Sequence, residues 1–232
     1  MAADAEGSSR MAPNPIERRR LESYMARLAK TREDNLLADL RRETSLLPEA
    51  RMQISPAQGQ LLALLARMSG ARRILELGVF TGYSSICLAR ALPPDGDLTA
   101  CDVSEEWTDI ARRYWKAAGL LSRITLRLGP AAQTLEALLE EDGEGSFDLA
   151  FIDADKSAYR VYFQGCRRLV RPGGLIILDN AFLGGKVALD GPHSAAPRVV
   201  SELTAEVFGD PLLEPVILPL GDGVLVVRRQ PV

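Results

Sequence analysis

Between Arg73 and Leu178 the chain repeats one pattern, a short apolar run followed by a helix-forming stretch. The runs are Arg73–Leu77, Asp97–Cys101, Ile124–Leu128, Phe147–Ile152 and Leu175–Leu178. The stretches between them are Gly82–Ala91, Glu105–Ala118, Ala131–Glu141 and Tyr159–Val170. Strands covered by helices on both faces read as near-continuous apolar segments. Repeated strand–helix units therefore predict a doubly wound, mostly parallel sheet. Two closing strands, Glu214–Leu218 and Val224–Arg229, flank Gly221-Asp222-Gly223, which has hairpin-turn chemistry. They predict an antiparallel C-terminal hairpin and bring the sheet to seven strands.

Upstream, Pro15–Thr44 is expected to be helical with a break near Thr31. Ser55-Pro56 opens a further helix, with Ser as N-cap and Pro in the first turn. Downstream, 184–197 is expected to be a loop and Arg198–Phe208 a helix. The 232 residues suit one domain over 15–232, with N-terminal helices over 15–70 and the core over 71–232. Residues 1–14 are small and polar, and are expected to form a disordered tail.

Composition narrows the function. The net charge of -3 supplies no basic surface for nucleic acid. No apolar stretch reaches the roughly 18 residues of a membrane span, and the N-terminus lacks the apolar core of a signal peptide. A cytoplasmic protein is the expectation. Cys87, Cys101 and Cys166 are scattered in apolar contexts and read as buried free thiols. A single histidine, His193, argues against a multi-histidine zinc site and against a Ser-His-Asp hydrolase. His193 itself reads as an exposed loop residue. Chemistry here must rest on carboxylates, Lys, Tyr or an external cofactor.

The first strand runs into Leu75-Glu76-Leu77-Gly78-Val79-Phe80-Thr81-Gly82-Tyr83-Ser84. Glycine lets a backbone turn tightly and approach a ligand closely. The loop lacks the G-x-G-x-x-G of a dinucleotide site, which argues against an NAD-dependent oxidoreductase. Glu76 would repel a pyrophosphate and suits an ammonium group. Asp102, at the second strand tip, can accept both ribose hydroxyls of a nucleoside. A ribose, a cationic amino-acid part and no phosphate together describe S-adenosylmethionine.

Two other strand tips are acidic: Asp153-Ala154-Asp155-Lys156 and Asp179-Asn180. Ligands of open α/β sheets bind outside the carboxyl ends of strands. Oxygen donors from two such tips can share one hard cation, with magnesium, manganese or calcium preferred over copper or zinc. The competing reading of Asp153 and Asp155 is helix capping. Tyr159 and Tyr162 read as packing residues. Trp107 is a possible adenine neighbour, and Tyr83 is either a core residue or a neighbour of the methionine sulfur.

These segments resemble the cation-dependent class I O-methyltransferases, typified by caffeoyl-CoA and catechol O-methyltransferases and small bacterial relatives. The resemblance runs from about Ile16 to Arg229. It rests on Met52-Gln53-Ile54-Ser55, the glycine loop, Gly129-Pro130-Ala131, Asp153-Ala154-Asp155-Lys156, Arg171-Pro172-Gly173-Gly174, Asp179-Asn180 and Gly221-Asp222-Gly223. It implies a Rossmann-like fold and an S-adenosylmethionine pocket lined by Glu76, Gly78, Val79, Ser84, Asp102 and Ala131. Ile54 would touch that pocket through its main chain, and Asp155 would contact the methionine end. Asp153, Asp179 and Asn180 would hold the divalent metal, and Lys156 would be the catalytic base. A homodimer with N-terminal helices over the active site is also implied.

The plant enzymes of this family carry Asn four residues after the metal-binding Asn; here that position is Gly184. A free catechol-like phenol is therefore expected as substrate, with a caffeoyl-CoA-type thioester as the alternative. A cation would lower the pKa of a phenol, ordinarily about 10, and two vicinal hydroxyls could chelate it.

Overall fold

The protein is described by a computed structural model covering residues 14–189 and 194–231; the expected tail up to residue 13 and His193 lie outside the described residues. Its elements are α1 (Pro15–Lys30), α2 (Asn35–Thr44), α3 (Pro56–Met68), β1 (Arg73–Leu77), α4 (Tyr83–Ala89), β2 (Asp97–Asp102), α5 (Glu105–Ala117), β3 (Ile124–Leu128), α6 (Ala131–Glu141), β4 (Phe147–Ile152), α7 (Tyr159–Leu169), β5 (Val170–Leu178), α8 (Ala195–Gly209), β6 (Leu213–Leu218) and β7 (Val224–Arg229).

The sheet has seven strands in the order β3-β2-β1-β4-β5-β7-β6. The first five are parallel, and β7 is antiparallel to both β5 and β6. The fold expected from the strand–helix alternation is thus the fold observed. Strand order reverses between β1 and β4, which opens a crevice at their carboxyl ends.

Side-chain alternation along β1 feeds two cores. Ile74 packs with Ile86, Leu98, Leu149 and Phe151 beneath α3, α4 and α5. Leu75 and Leu77 pack with Leu135, Ala150, Ile152 and Phe163 beneath α6 and α7. All three cysteines are buried free thiols. Burial pushes the Cys87 and Cys101 thiols up to about 12, so neither is an active nucleophile.

Local chemistry sets the element ends. The helical break near Thr31 falls where Asp34 caps α2 through Leu37 N–H. Ser55 and Gln58 form a capping box at the start of α3. Two boundaries differ from expectation by three residues or more. β5 begins at Val170 rather than Leu175, because Val170 pairs with Phe147 across a register irregularity. α8 begins at Ala195 rather than Arg198, since Pro197 is tolerated in a first helical turn. No helix among the described residues is long and apolar enough to cross a membrane.

Candidate active site

The carboxyl ends of β1, β2, β4 and β5 surround one cavity of about 1030 Å³. Ile54, Gly78, Val79, Ser84, Asp102, Ala131, Asp153, Asp155, Lys156, Asp179 and Asn180 all line it. The fold thus gathers every sequence-predicted site residue except Glu76 onto one wall system.

At the β1 end, Gly78 adopts φ +93°, and a Cβ there would stand 2.1 Å from the Asp153 carbonyl oxygen. Only glycine lets the β1 and β4 tips pass this closely. The loop is clamped from β2: Asp102 Oδ2 accepts from Val79 N–H at 2.8 Å and Phe80 N–H at 2.9 Å, and Oδ1 accepts from Ser104 N–H at 2.9 Å. Asp102 therefore shapes the loop as well as facing the cavity. Phe80 meets Trp107 edge-to-face at 5.1 Å, giving this end an aromatic wall.

Glu76 lies beneath this floor. Strand alternation turns it under α4, where it is fully buried and accepts from Ser85 Oγ. Its Oε1 has no partner among the described residues. Burial pushes its carboxyl up to about 8, against the pull of Ser84 and Ser85. Glu76 is not among the residues that line the cavity.

Arg51, Met52, Gln53, Ile54 and Gln58 also line the cavity, and α2 braces this segment. Arg41 Nη1 donates to Gln53 Oε1 at 3.0 Å and to the Ile54 carbonyl at 3.3 Å. Its guanidinium lies 4.4 Å over the Tyr83 ring, and Tyr83 Oη donates to Glu33 at 2.7 Å. Tyr83 is thus buried with a polar anchor and also lines the cavity. Thr44 and Thr81 share a buried hydroxyl hydrogen bond at 2.8 Å.

The acidic tips meet as expected. Asp153 N–H extends the ladder to Leu77, and Asp179 N–H extends it to Ile152. Asp153 Oδ1 accepts from Lys156 Nζ at 2.7 Å. Asp179 is 3% exposed, and Gln58 Nε2 lies 2.9 Å from each of its carboxylate oxygens. Burial, then the Asp153 charge, push Asp179 up to about 7. Asn180 takes φ +55° and donates its N–H to Asp179 Oδ1 at 2.8 Å. Tyr159 does more than pack: its hydroxyl bridges the carbonyls of Ile152 at 3.2 Å and Asp179 at 3.1 Å.

This donor set fits a hard divalent cation. The Asp153 charge raises the cost of ionising Asp179, which a shared cation would relieve. No cluster of three or more His, Cys, Asp or Glu suited to a metal occurs among the described residues. Asn180, next to Asp179 on the cavity lining, would offer an amide oxygen as the third donor. Asp155 is exposed and accepts from Ser157 N–H at 3.2 Å, capping the short turn Lys156–Ala158. The capping reading thus describes Asp155 in this structure.

Sequence reasoning missed Gln58, Arg41 and Phe80. Gln58 carries a signal, but it is the S-x-x-Q of a helix cap and does not point to Asp179.

A family model described as O-methyltransferase matches residues 27–230. The chain belongs to the O-methyltransferase family. Tricin synthase 2 of Oryza sativa subsp. japonica is 39% identical over 217 residues, covering 90% of this chain and 74% of that protein. Catechol O-methyltransferase domain-containing protein 1 of Mus musculus is 38% identical, covering 83% of this chain and 74% of its own length. Among solved structures, the O-methyltransferase TomG of Streptomyces achromogenes, in complex with SAM, is 33% identical with a TM-score of 0.78. The match covers 86% of this chain and 91% of TomG.

Proposed function

We propose that this O-methyltransferase uses S-adenosylmethionine to methylate one hydroxyl of a catechol-like phenol. Asp153, Asp179 and Asn180 would hold a divalent cation, and Lys156 would receive the hydroxyl proton. The observation that carries this reading is the Lys156–Asp153 pair at 2.7 Å beside buried Asp179, in the same cavity as the glycine loop.

S-adenosylmethionine supplies an electrophilic methyl group on sulfur, and a bound magnesium, manganese or calcium ion would acidify and orient vicinal hydroxyls. The protein supplies the placement. Gly78, Val79, Ser84, Asp102 and Ala131 shape the donor's side of the cavity, and Ile54 borders it from the segment before α3. Lys156 Nζ, held by Asp153 on the cavity lining, would take the hydroxyl proton as a neutral amine. The phenolic oxygen then forms its bond to the methyl carbon as the carbon–sulfur bond breaks, leaving S-adenosylhomocysteine. Holding oxygen and methyl in line supplies much of the rate, since effective molarities are large.

A thioester or other anionic phenol is the second reading. Arg51 and Lys186 are exposed cations on the cavity lining, and suit phosphates or a carboxylate.

The test is methyl transfer to catechol, hydroxycinnamates and their coenzyme A thioesters, with magnesium and with chelator. Catechol turnover that chelator abolishes is expected. Turnover indifferent to chelator would remove the metal role, and turnover confined to thioesters would favour the second reading.

A further inference from the structure

We infer that Gln58 is a positioning residue for Asp179, fixing which carboxylate oxygen is left for a cation. This rests on the metal reading above. Gln58 is buried, at 7% exposure, on the first turn of α3. Its Oε1 accepts from Ser55 N–H at 2.9 Å and lies 2.9 Å from Ser55 Oγ. A main-chain N–H can only donate, so the oxygen of the carboxamide must face Ser55. The amide nitrogen must then face Asp179, where it lies 2.9 Å from both Oδ1 and Oδ2. The two ends specify one orientation, with no alternative flip that satisfies both.

The geometry assigns the free site. A carboxylate offers about four lone-pair positions. Gln58 takes one on each oxygen, and Asn180 N–H takes a second on Oδ1. The remaining position is on Oδ2. Gly221 backs the carboxamide: a Cβ there would stand 2.8 Å from Gln58 Cδ. The hairpin turn before β7 thus holds Gln58 against Asp179. The arrangement ties α3, whose N-terminal approach includes the cavity-lining Ile54, to the tip of β5.

Groups that orient a metal ligand typically change metal affinity by about 10–100-fold when removed. The experiment uses the full chain and Mn2+, with free Mn2+ read by electron paramagnetic resonance in the absence of phenol. Gln58→Met keeps the side chain's length and removes both donors. Gln58→Asn keeps an amide that is too short, and serves if the first variant does not fold. Each is expected to weaken Mn2+ binding by about 10–100-fold, while calorimetry shows S-adenosylhomocysteine affinity near wild type. Mn2+ affinity unchanged in a folded variant overturns the inference, even if thermal stability drops, because that is a structural role only. Equal losses of Mn2+ and S-adenosylhomocysteine affinity overturn it too, since they report collapse of the α3 start. Absence of Mn2+ binding in the wild type removes the metal reading, and this role with it.

Discussion

Glu76 keeps a carboxyl group in the interior with one oxygen unpartnered. Its proton follows from that burial. The unfolded chain loses it near 4.5, whereas the folded chain holds it to about 8. Between these values the native state binds the extra proton, so stability falls as pH rises through the window. Urea unfolding of the ligand-free protein should therefore show a declining midpoint, and Glu76→Gln should flatten it. The residual slope belongs to Asp179, which is shifted in the same direction. An equal slope in the variant would show that Glu76 is not the group responsible. Asp102 behaves differently, because its carboxylate accepts three main-chain N–H groups. Hydrogen bonds to a charged group are worth about 1.5–3 kcal/mol each. Asp102→Ala should release the glycine loop and weaken S-adenosylhomocysteine binding by about tenfold or more, the equivalent of 1.4 kcal/mol. Calorimetry showing unchanged affinity would take Asp102 out of the site.

At the scale of elements, the site exists because strand ends approach closely. Gly78 and Gly119 both have positive φ, at +93° and +70°. Only Gly78 faces an obstruction, the main chain of Asp153; nothing lies within 4 Å of a Cβ at Gly119. Gly119→Ala should therefore show backbone strain alone, about 1–3 kcal/mol. Gly78→Ala should cost more in urea unfolding and abolish S-adenosylhomocysteine binding by parting β1 from β4. Comparable losses in the two variants would show that the close approach is not required. Most element boundaries were legible for local reasons: Ser55 and Asp34 are caps, and apolar runs mark strands. The starts of β5 and α8 were not. β5 is extended by pairing between Val170 and Phe147, and α8 begins two residues before a proline that its first turn accommodates.

Among the described residues, α1 presents an exposed apolar face. Leu21, Tyr24, Met25 and Leu28 each expose about half their surface at helical spacing along α1. The homodimer implied by the family resemblance would give this face a partner. Analytical ultracentrifugation should find twice the chain mass of 25.3 kDa. Joint Leu21→Glu and Leu28→Glu substitution should shift the population to monomer. A monomeric wild type would end that expectation, and a dimer unaffected by both changes would place the interface elsewhere.

The sequence by itself determined what is local: the strand–helix alternation, the caps, the turn glycines and which strand tips end in oxygen donors. These depend on residue type and on periods of two and about 3.6, which neighbouring residues set. Tertiary structure decided what meets what. It brought Gln58 onto Asp179 across 121 residues and set Arg41 against the Ile54 carbonyl. It also turned Glu76 under α4, away from the cavity wall. Such contacts depend on sheet order, register and helix packing, and no short stretch of chain encodes them.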